Sequence, residues 1–337
     1  MAYMGIGIAN SALVSDGSSN SFSSSPTMGG DFTVDGNLNL TSNGQIVIAS
    51  NRCVYGINNG GSFNGNFYAG INAGPGTIGS GAFIVNNTAV GVNALGTPGP
   101  YTHNFLYNTA LGYGAGGNMA AGIVNFFGGY NAGLNVGSGS PASGATANVA
   151  IGSDPTGPNG ALQNLLTGSY NTAIGVGSAG AAGISYTGAE TLNILIANTG
   201  VTGESQVTRI GSDQTTCYIA GIAGVTVASS AAVLINTSTG QLGTVVSSLR
   251  YKENVQDMAD SSNAVMNLRP VNFNFKADKT KEKQYGLIAE EVNDIFPDLV
   301  LYNNEGMPES VKYHELPILL LNEIKKLAKR IEQLEKN

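Results

Sequence analysis

The residues of this chain that could do covalent chemistry together stand in the stretch VVSSLRYKENV, residues 245–255. Serine is a weak nucleophile and needs a base. Lysine can be that base where burial lowers its pKa from about 10.4 towards neutrality, and Lys252 follows Ser247 by five residues. The two histidines, His103 and His314, are remote in sequence. The same residues are typical of a polar linker, so the sequence around them has to decide between the two readings.

The stretch lies at a sharp change in composition. The chain has 337 residues, which suggests about two domains. Residues 1–246 hold 2 basic and 7 acidic side chains, whereas residues 247–337 hold 13 and 15. Of the 48 glycines, 46 lie before residue 247. We therefore expect a first part that packs backbone with small residues, followed by an ordinary globular domain with a charged surface.

Composition also argues against several classes of protein. A net charge of -7 disfavours nucleic acid as a partner. The first 20 residues lack the basic start and long apolar run of a signal peptide. No stretch approaches the roughly 20 apolar residues of a membrane helix. We therefore expect neither a nucleic-acid partner nor a membrane partner.

The first part repeats itself. Seven segments begin with Asn, continue with three mostly apolar residues and then have a small residue, usually Gly; they start at residues 66, 87, 108, 125, 148, 171 and 193. A period near 20 indicates stacked units that are each too small to bury their own face. The segments are too rich in glycine and β-branched residues for helices. Each is predicted to be a short strand and a tight turn, and the pattern leaves open a roll, a prism or a solenoid.

The region before the repeats has hairpin signals. DFTVDGNLNLTSNGQIVIAS alternates apolar and polar residues around Asp35-Gly36 and Asn43-Gly44. A thin β-structure of this kind has open edges and little core of its own. Burial between identical chains would solve both problems.

The last part alternates strand and helix patterns. PVNFNFK (270–276) predicts a strand, and QYGLIAEEVNDIFPDLV (284–300) predicts a strand followed by an amphipathic helix that stops near Pro297. Residues 310–337 are predicted to form a long helix. Its 4,3,4,3 apolar spacing forms a short heptad seam at Leu320, Ile324, Leu327, Ile331 and Leu334. The seam favours oligomerisation, but Ile at a with Leu at d favours two-stranded parallel coiled coils and does not support a trimer.

Residues 247–337 resemble the intramolecular chaperone auto-processing domain, the self-cleaving C-terminal chaperone of phage tailspike endosialidases and related fibres. SSLRYKENV resembles the family's cleavage motif through Ser247, Arg250 and Lys252. YGLIAEEVNDIFPDLV is similar to the family's Gly-Leu-Ile-Ala signature, helix and Phe-Pro, and the terminal amphipathic helix follows. The family often has Asp directly after the serine, where this chain has Ser248.

The resemblance implies a domain that promotes trimerisation of the fibre before it and then cuts itself off. Our hypothesis is that Ser247 attacks the carbonyl of Val246 with Lys252 as general base, and that water then resolves the ester. Arg250 would stabilise the oxyanion or pair with a carboxylate. The alternative nucleophile is Ser248.

Two further positions are candidates for supporting roles. Glu290, beside Glu291, is typical of a solvated helix face, and either carboxylate could instead orient Lys252. His314 is typical of a residue that packs or caps near the start of the terminal helix, with a catalytic role as the alternative.

We therefore expect a mostly β protein, in which a Gly-rich repetitive trimeric β-fibre precedes a small α/β chaperone domain that ends in a long helix. The expected boundaries are 1–65 for the N-terminal hairpins, 66–246 for the fibre and 247–337 for the autoproteolytic serine peptidase, acting in cis only. No cofactor or metal is expected. The expected partners are two further copies and a cell-surface glycan or receptor, on a virion or extracellular surface after assembly in the host cytoplasm.

The alternative class is a surface adhesin whose C-terminal trimerisation cap is never removed. A glycan-degrading spike is disfavoured, because 7 acidic residues across residues 1–246 offer no convincing carboxylate pair.

Overall fold

A computed structural model describes nine ranges of the chain, and all structural statements here refer to them: 13–15, 20–22, 45–48, 51–55, 65–75, 83–96, 104–138, 144–303 and 305–336. The chain divides into two compact units, Met1–Tyr218 and Ile219–Asn337. The predicted turns at Asp35-Gly36 and Asn43-Gly44 lie outside the described residues, as does His103.

The first unit is a β-solenoid of stacked coils. In its described part, ten strands form one sheet, here called the ladder sheet: Gln45–Ile48, Asn51–Tyr55, Phe67–Ala69, Thr88–Val90, Thr109–Leu111, Phe126–Gly128, Val149–Ile151, Thr172–Ile174, Ile194–Ile196 and Thr208–Ile210. The first three pair antiparallel, and from Phe67–Ala69 onward all neighbours are parallel. The prediction of a short strand in each of the seven asparagine-led segments is therefore confirmed.

A second parallel sheet closes the coils on another side. Its described strands are Ile84–Val85, Phe105–Leu106, Gly122–Ile123 and Ala145–Thr146. Two antiparallel pairs complete the described strands of this unit: Leu13–Ser15 with Asn20–Phe22, and Val176–Gly177 with Gly180–Ala181.

In the seven parallel strands from Phe67–Ala69 to Ile194–Ile196, the central residue points into the coil. These residues stack in register from coil to coil and are fully buried: Tyr68, Ala89, Ala110, Phe127, Ala150, Ala173 and Leu195. Several are alanines, so the coil is thin. A single coil cannot bury its own faces, and the core forms only when the coils stack.

Two tight corners recur in each coil. The residue before the strand's asparagine has a left-handed backbone, including at Tyr107 (φ 57°) and Val124 (φ 60°). A β-branched residue rarely adopts this conformation, and the N–H of Val124 is held by the Leu106 carbonyl of the previous coil at 2.9 Å. The other corner is a glycine just after the strand. At Gly112, φ is +130° and a Cβ would come within 2.7 Å of the Gly129 oxygen, so only glycine fits.

The asparagines that start the repeats form a ladder through the solenoid. Each Oδ1 except that of the last asparagine accepts hydrogen bonds from the main-chain N and from Nδ2 of the next asparagine at 2.9–3.2 Å. From the second asparagine on, the Nδ2 group also donates to a carbonyl of the following coil. The ladder residues are Asn66, Asn87, Asn108, Asn125, Asn148, Asn171 and Asn193. At this corner the asparagine side chains thus supply the hydrogen bonds that link one coil to the next, in place of main-chain pairs.

The last described coil of the solenoid replaces its apolar centre with a charged pair. Arg209 takes the inward position and pairs with Glu204 at 2.7 Å, and Tyr186 donates to the same carboxylate at 2.9 Å. Burial by itself would raise the pKa of Glu204, but the hydrogen bonds from Arg209 and Tyr186 outweigh it, so this pKa lies below its usual value. Burial and the neighbouring carboxylate raise the pKa of Tyr186. The solenoid therefore ends on a hydrogen-bonded polar group.

The second unit has a small α/β core. Its described strands pair antiparallel: Leu234–Ile235 with Leu242–Gly243, Val271–Phe273 with Gln284–Gly286, and Val300–Tyr302 with Pro308–Val311. Its described helices are the 3-10 turns Leu249–Tyr251, Asn263–Asn267 and Pro297–Leu299 and the α-helices Ala289–Ile295 and Leu316–Glu335. Val292, Leu299, Val300 and Val311 form the core.

Most predicted elements of this unit are present, and one boundary is wrong. The first predicted strand and the strand–helix pair occur as expected. The terminal helix begins at Leu316 rather than residue 310, because Pro308–Val311 is a strand whose Val311 is buried in the core. Pro317 falls in the first turn of the helix, where its missing N–H costs nothing. Neither α-helix in the described part has the length and apolarity needed to cross a bilayer.

Candidate functional site

A single turn of 3-10 helix brings the candidate nucleophile and base together. The turn spans Leu249–Tyr251, with Ser247 and Lys252 on either side of it. Ser248 is its N-cap and accepts from the Arg250 main-chain N at 3.4 Å. The cap closes the chain on itself, so two residues five positions apart in sequence face each other.

Lys252 Nζ donates a hydrogen bond to Ser247 Oγ at 3.1 Å. This distance is within the reach expected between a nucleophile and its base. For catalysis the proton must move the other way, from the Ser247 hydroxyl to a neutral lysine amine. A lysine base requires surroundings that disfavour the ammonium form, and burial is the usual cause. In the single chain both side chains are exposed, so the contact is formed but not shielded from water.

The neighbouring residues divide between the two serines. Arg250 Nε donates to Ser248 Oγ at 3.2 Å, and its guanidinium lies 5.6 Å from the centre of the Tyr251 ring. Ser248 Oγ is therefore engaged as a helix cap, whereas Ser247 Oγ is the hydroxyl that meets the lysine. Arg250 contacts neither Val246 nor a carboxylate among the described residues.

The two candidate supporting residues are placed elsewhere. Glu290 is exposed on the helix Ala289–Ile295, and His314 is 3.7 Å from Glu315 just before the terminal helix. Among the described residues, neither makes a hydrogen bond or ion pair with Ser247 or Lys252. Glu291 is paired with Arg269. These supporting roles stay predictions.

The chain around the site exposes many apolar side chains. Val246 is 57 % exposed, Leu249 72 % and Tyr251 65 %. The exposure continues back along residues 218–246, where Tyr218, Ile219, Ile222, Val225, Val227, Val233, Ile235, Leu242 and Val245 are exposed as well. Large exposed apolar patches usually mark surfaces that pack against a partner. The segment around Ser247 and Lys252 therefore has the composition of a buried segment, and the described residues of the single chain do not bury it.

Sequence reasoning missed a buried polar cluster that fixes the terminal helix. The Ser262 hydroxyl is fully buried, donates to the Glu323 carboxylate and accepts from Asn322 Nδ2 at 2.7 Å. Lys326 contacts Glu323 at 2.8 Å and Asp260 at 3.3 Å. The separation of about 60 residues in sequence gave no signal, and only Glu323 and Lys326, spaced i and i+3, could have been paired in advance.

Residues 247–301 match the family model described as chaperone of endosialidase. The C-terminal part of this chain therefore contains an endosialidase-type intramolecular chaperone domain. The match begins at Ser247 itself and ends within the strand Val300–Tyr302. No curated protein and no solved structure matches the chain. The family implies autoproteolytic peptidase activity and trimeric assembly in general.

Proposed function

We propose that this chain is the precursor of a trimeric fibre or spike protein, whose C-terminal domain drives trimerisation and then cleaves itself off between Val246 and Ser247. The observation that carries the proposal is the contact of 3.1 Å between Lys252 Nζ and Ser247 Oγ, at the residue where the chaperone family match begins. The solenoid supports the same function, because its exposed apolar side chains would make a single chain prone to aggregation before identical chains meet.

The cleavage proceeds in two balanced steps. Neutral Lys252 takes the hydroxyl proton of Ser247 as Oγ attacks the Val246 carbonyl carbon. The C–N bond to Ser247 breaks, its nitrogen gains a proton, and an ester joins Val246 to the Ser247 oxygen. Water then hydrolyses the ester, which leaves a Val246 carboxylate and a free Ser247 amine. The step acts in cis on the chain that carries both residues.

Assembly supplies the conditions that the single chain lacks. The dyad is exposed in one chain, and the apolar residues around it lack cover. Packing of neighbouring chains over Val246 and Leu249 would exclude water from the dyad and favour the uncharged amine that can accept a proton. Cleavage would then follow trimerisation, and release of the chaperone would make assembly hard to reverse.

The released fibre, residues 1–246, would serve as a structural or attachment protein that meets a cell-surface glycan or receptor. Its expected location is a virion or an extracellular surface. The second candidate is an adhesin that retains the C-terminal domain as a permanent cap. The observation that favours it is Ser248, which stands where the family often has Asp and which caps the turn.

Intact mass spectrometry of the freshly expressed chain tests the proposal, beside Ser247→Ala, Lys252→Ala and the matched control Ser248→Ala. We expect two fragments that meet at Val246 and Ser247 in the wild type, and a single intact chain in Ser247→Ala and Lys252→Ala. Ser248→Ala keeps the dyad but removes the cap of the turn, so it should be cut at the same bond more slowly than the wild type. Cleavage of Ser247→Ala at the wild-type rate would overturn the assignment. A wild-type chain that stays intact at 34.4 kDa and oligomeric would identify the retained cap.

A further inference from the structure

The outer face of the ladder sheet carries an unbroken strip of uncharged side chains. In each of its eight parallel strands the first and third residues point outward while the second is turned inward. The first-position residues are Phe67, Thr88, Thr109, Phe126, Val149, Thr172, Ile194 and Thr208. The third-position residues are Ala69, Val90, Leu111, Gly128, Ile151, Ile174, Ile196 and Ile210.

This outer strip is apolar although it faces solvent. Leu111 is 42 % exposed and Ile174 38 %, and Phe67, Val90, Ile151, Ile194, Ile196 and Ile210 are exposed as well. A parallel sheet normally has both faces covered. A face in contact with water would normally carry polar or charged side chains. The polar side chains of this strip are its four threonines, and the strip carries no charged residue.

The charges of the solenoid avoid the outer strip. Residues 65–218 contain five charged side chains: Asp154, Glu190, Glu204, Arg209 and Asp213. None occupies a first or third position, and Arg209 stands at a second position, paired with Glu204. Identical faces could therefore meet without bringing like charges together.

The strip has the size of a functional patch. Eight strands about 4.8 Å apart give a length of about 34 Å, and three residues at about 3.3 Å give a width of about 10 Å. The resulting area of roughly 340 Å² is in the range of the largest apolar patches on soluble monomers, which are often functional. The stacked rings of Tyr113 and Tyr130, 5.3 Å apart between centroids, flank it.

We infer that this outer strip is the interface between copies of this chain, with the strips of neighbouring chains packed against one another in a parallel, in-register trimer. Side-chain rows repeat along it with the strand spacing, and a second copy of the chain matches that spacing at every row. A partner with another period would match at only some rows. The threonines at first positions would form hydrogen bonds across such an interface. The number of three chains rests on the proposed function.

Cysteine scanning of the full chain tests the inference, in a background with Cys53 and Cys217 replaced by serine. Leu111→Cys places a thiol on the outer strip. Leu106→Cys, in the same coil, places one on the outer side of the second sheet and is the matched control. Ile174→Cys repeats the test three strands further on. Circular dichroism confirms folding, and light scattering gives the number of chains.

We expect a short bismaleimide to join chains covalently in Leu111→Cys and Ile174→Cys but not in Leu106→Cys. Maleimide should label the two strip cysteines roughly tenfold more slowly than the control in the native assembly, and equally fast in denaturant. Cross-linking without any self-cleavage would support this interface while refuting the proposed peptidase activity.

Three results would overturn the inference. They are free labelling of Leu111→Cys in an assembled oligomer, cross-linking of Leu106→Cys alone, and a chain that stays monomeric. Protection of Leu111→Cys that arises only when oligosaccharide is added would also overturn it, and would identify the strip as a glycan-binding face.

Discussion

At the residue scale, the ladder asparagines show why one residue type recurs where its neighbours vary. An asparagine offers an acceptor and two donors on one short side chain. Asn148 uses them together: its Oδ1 accepts from Asn171 twice, and its Nδ2 donates to Asn125 Oδ1 at 3.1 Å and to the Gly168 carbonyl at 2.9 Å. Aspartate lacks the donors and serine lacks the reach, so neither could replace it.

We predict that Asn148→Ala destabilises the solenoid strongly. The change removes the acceptor of the buried Asn171 N–H and the donor to the Gly168 carbonyl, and each unsatisfied buried group costs about 1–3 kcal/mol. The expected loss is roughly 2–5 kcal/mol, measured as a fall in the free energy of unfolding by chemical denaturation.

The control for this prediction is Asn118→Ala. Asn118 is exposed and donates one hydrogen bond to Asn135 outside the ladder, so its loss should stay within about 0.5 kcal/mol. Equal losses in the two variants would show that the ladder contributes no special stability.

At the element scale, the terminal helix has two different faces. Leu316 and Leu319 pack on the core of the second unit, and Glu323 and Lys326 continue that face into the polar cluster with Ser262. The heptad seam lies one residue further round. Its residues Leu320, Ile324, Leu327, Ile331 and Leu334 are all exposed. The helix is thus docked by one face, and its heptad seam stays exposed.

We predict that docking of the terminal helix weakens in acid through Glu323. Hydrogen bonds from Lys326 and then from Ser262 hold the pKa of Glu323 below its ordinary value of 4.5. A group whose pKa is lower in the folded state stabilises folding above its unfolded pKa, and this contribution is lost as pH falls through the folded pKa. Stability should therefore decline below about pH 4.5.

Thermal melting of the second unit, followed by circular dichroism between pH 3 and pH 7, measures this decline. Glu323→Gln should lower the melting temperature at pH 7. It should also reduce the fall in melting temperature between pH 4.5 and pH 3. The matched control is Glu332→Gln, at an exposed position of the same helix, and it should follow the wild type at every pH. If the melting temperature of Glu323→Gln fell with acid as steeply as that of the wild type, the prediction would be contradicted.

At the scale of the whole molecule, both units expose apolar surface that one chain does not cover. The outer strip of the ladder sheet, residues 218–246 and the helix seam each present exposed large side chains. Their combined exposure would make an isolated chain prone to association. Packing of identical chains against one another would cover these surfaces, because every chain carries one copy of each surface.

We predict that the double change Ile324→Lys and Ile331→Lys prevents assembly and slows self-cleavage together. It places cations at two positions of the seam, where neighbouring helices would bring like charges into contact. Light scattering should report a shift to monomer, and mass spectrometry should report an intact chain.

The control places one added lysine on another side of the helix. Gln333→Lys lies off the seam and should assemble and be cut like the wild type. Rapid cleavage of a monomeric double variant would show that the dyad needs no second chain.

Much of the fold was predictable from local pattern. The repeat period indicated stacked units, the glycines indicated tight corners, and alternation indicated the strands of the second unit. The start of the terminal helix was not predictable, because the pairing of Pro308–Val311 with Val300–Tyr302 is a tertiary choice that overrides helical periodicity. The solenoid itself also needed the structure, since a roll or a prism would satisfy the same repeat.

The sequence by itself determined the existence of a repetitive β part, the chaperone resemblance and the residue types of the candidate dyad. All three depend on short-range order along the chain. Only the tertiary structure decided that the repeat asparagines form one continuous ladder, that Ser262 meets Glu323, and that Lys252 contacts Ser247 while Arg250 contacts Ser248. These contacts depend on how coils stack and how turns close, and a hydrogen bond of about 3 Å is fixed by geometry that spacing in sequence does not encode.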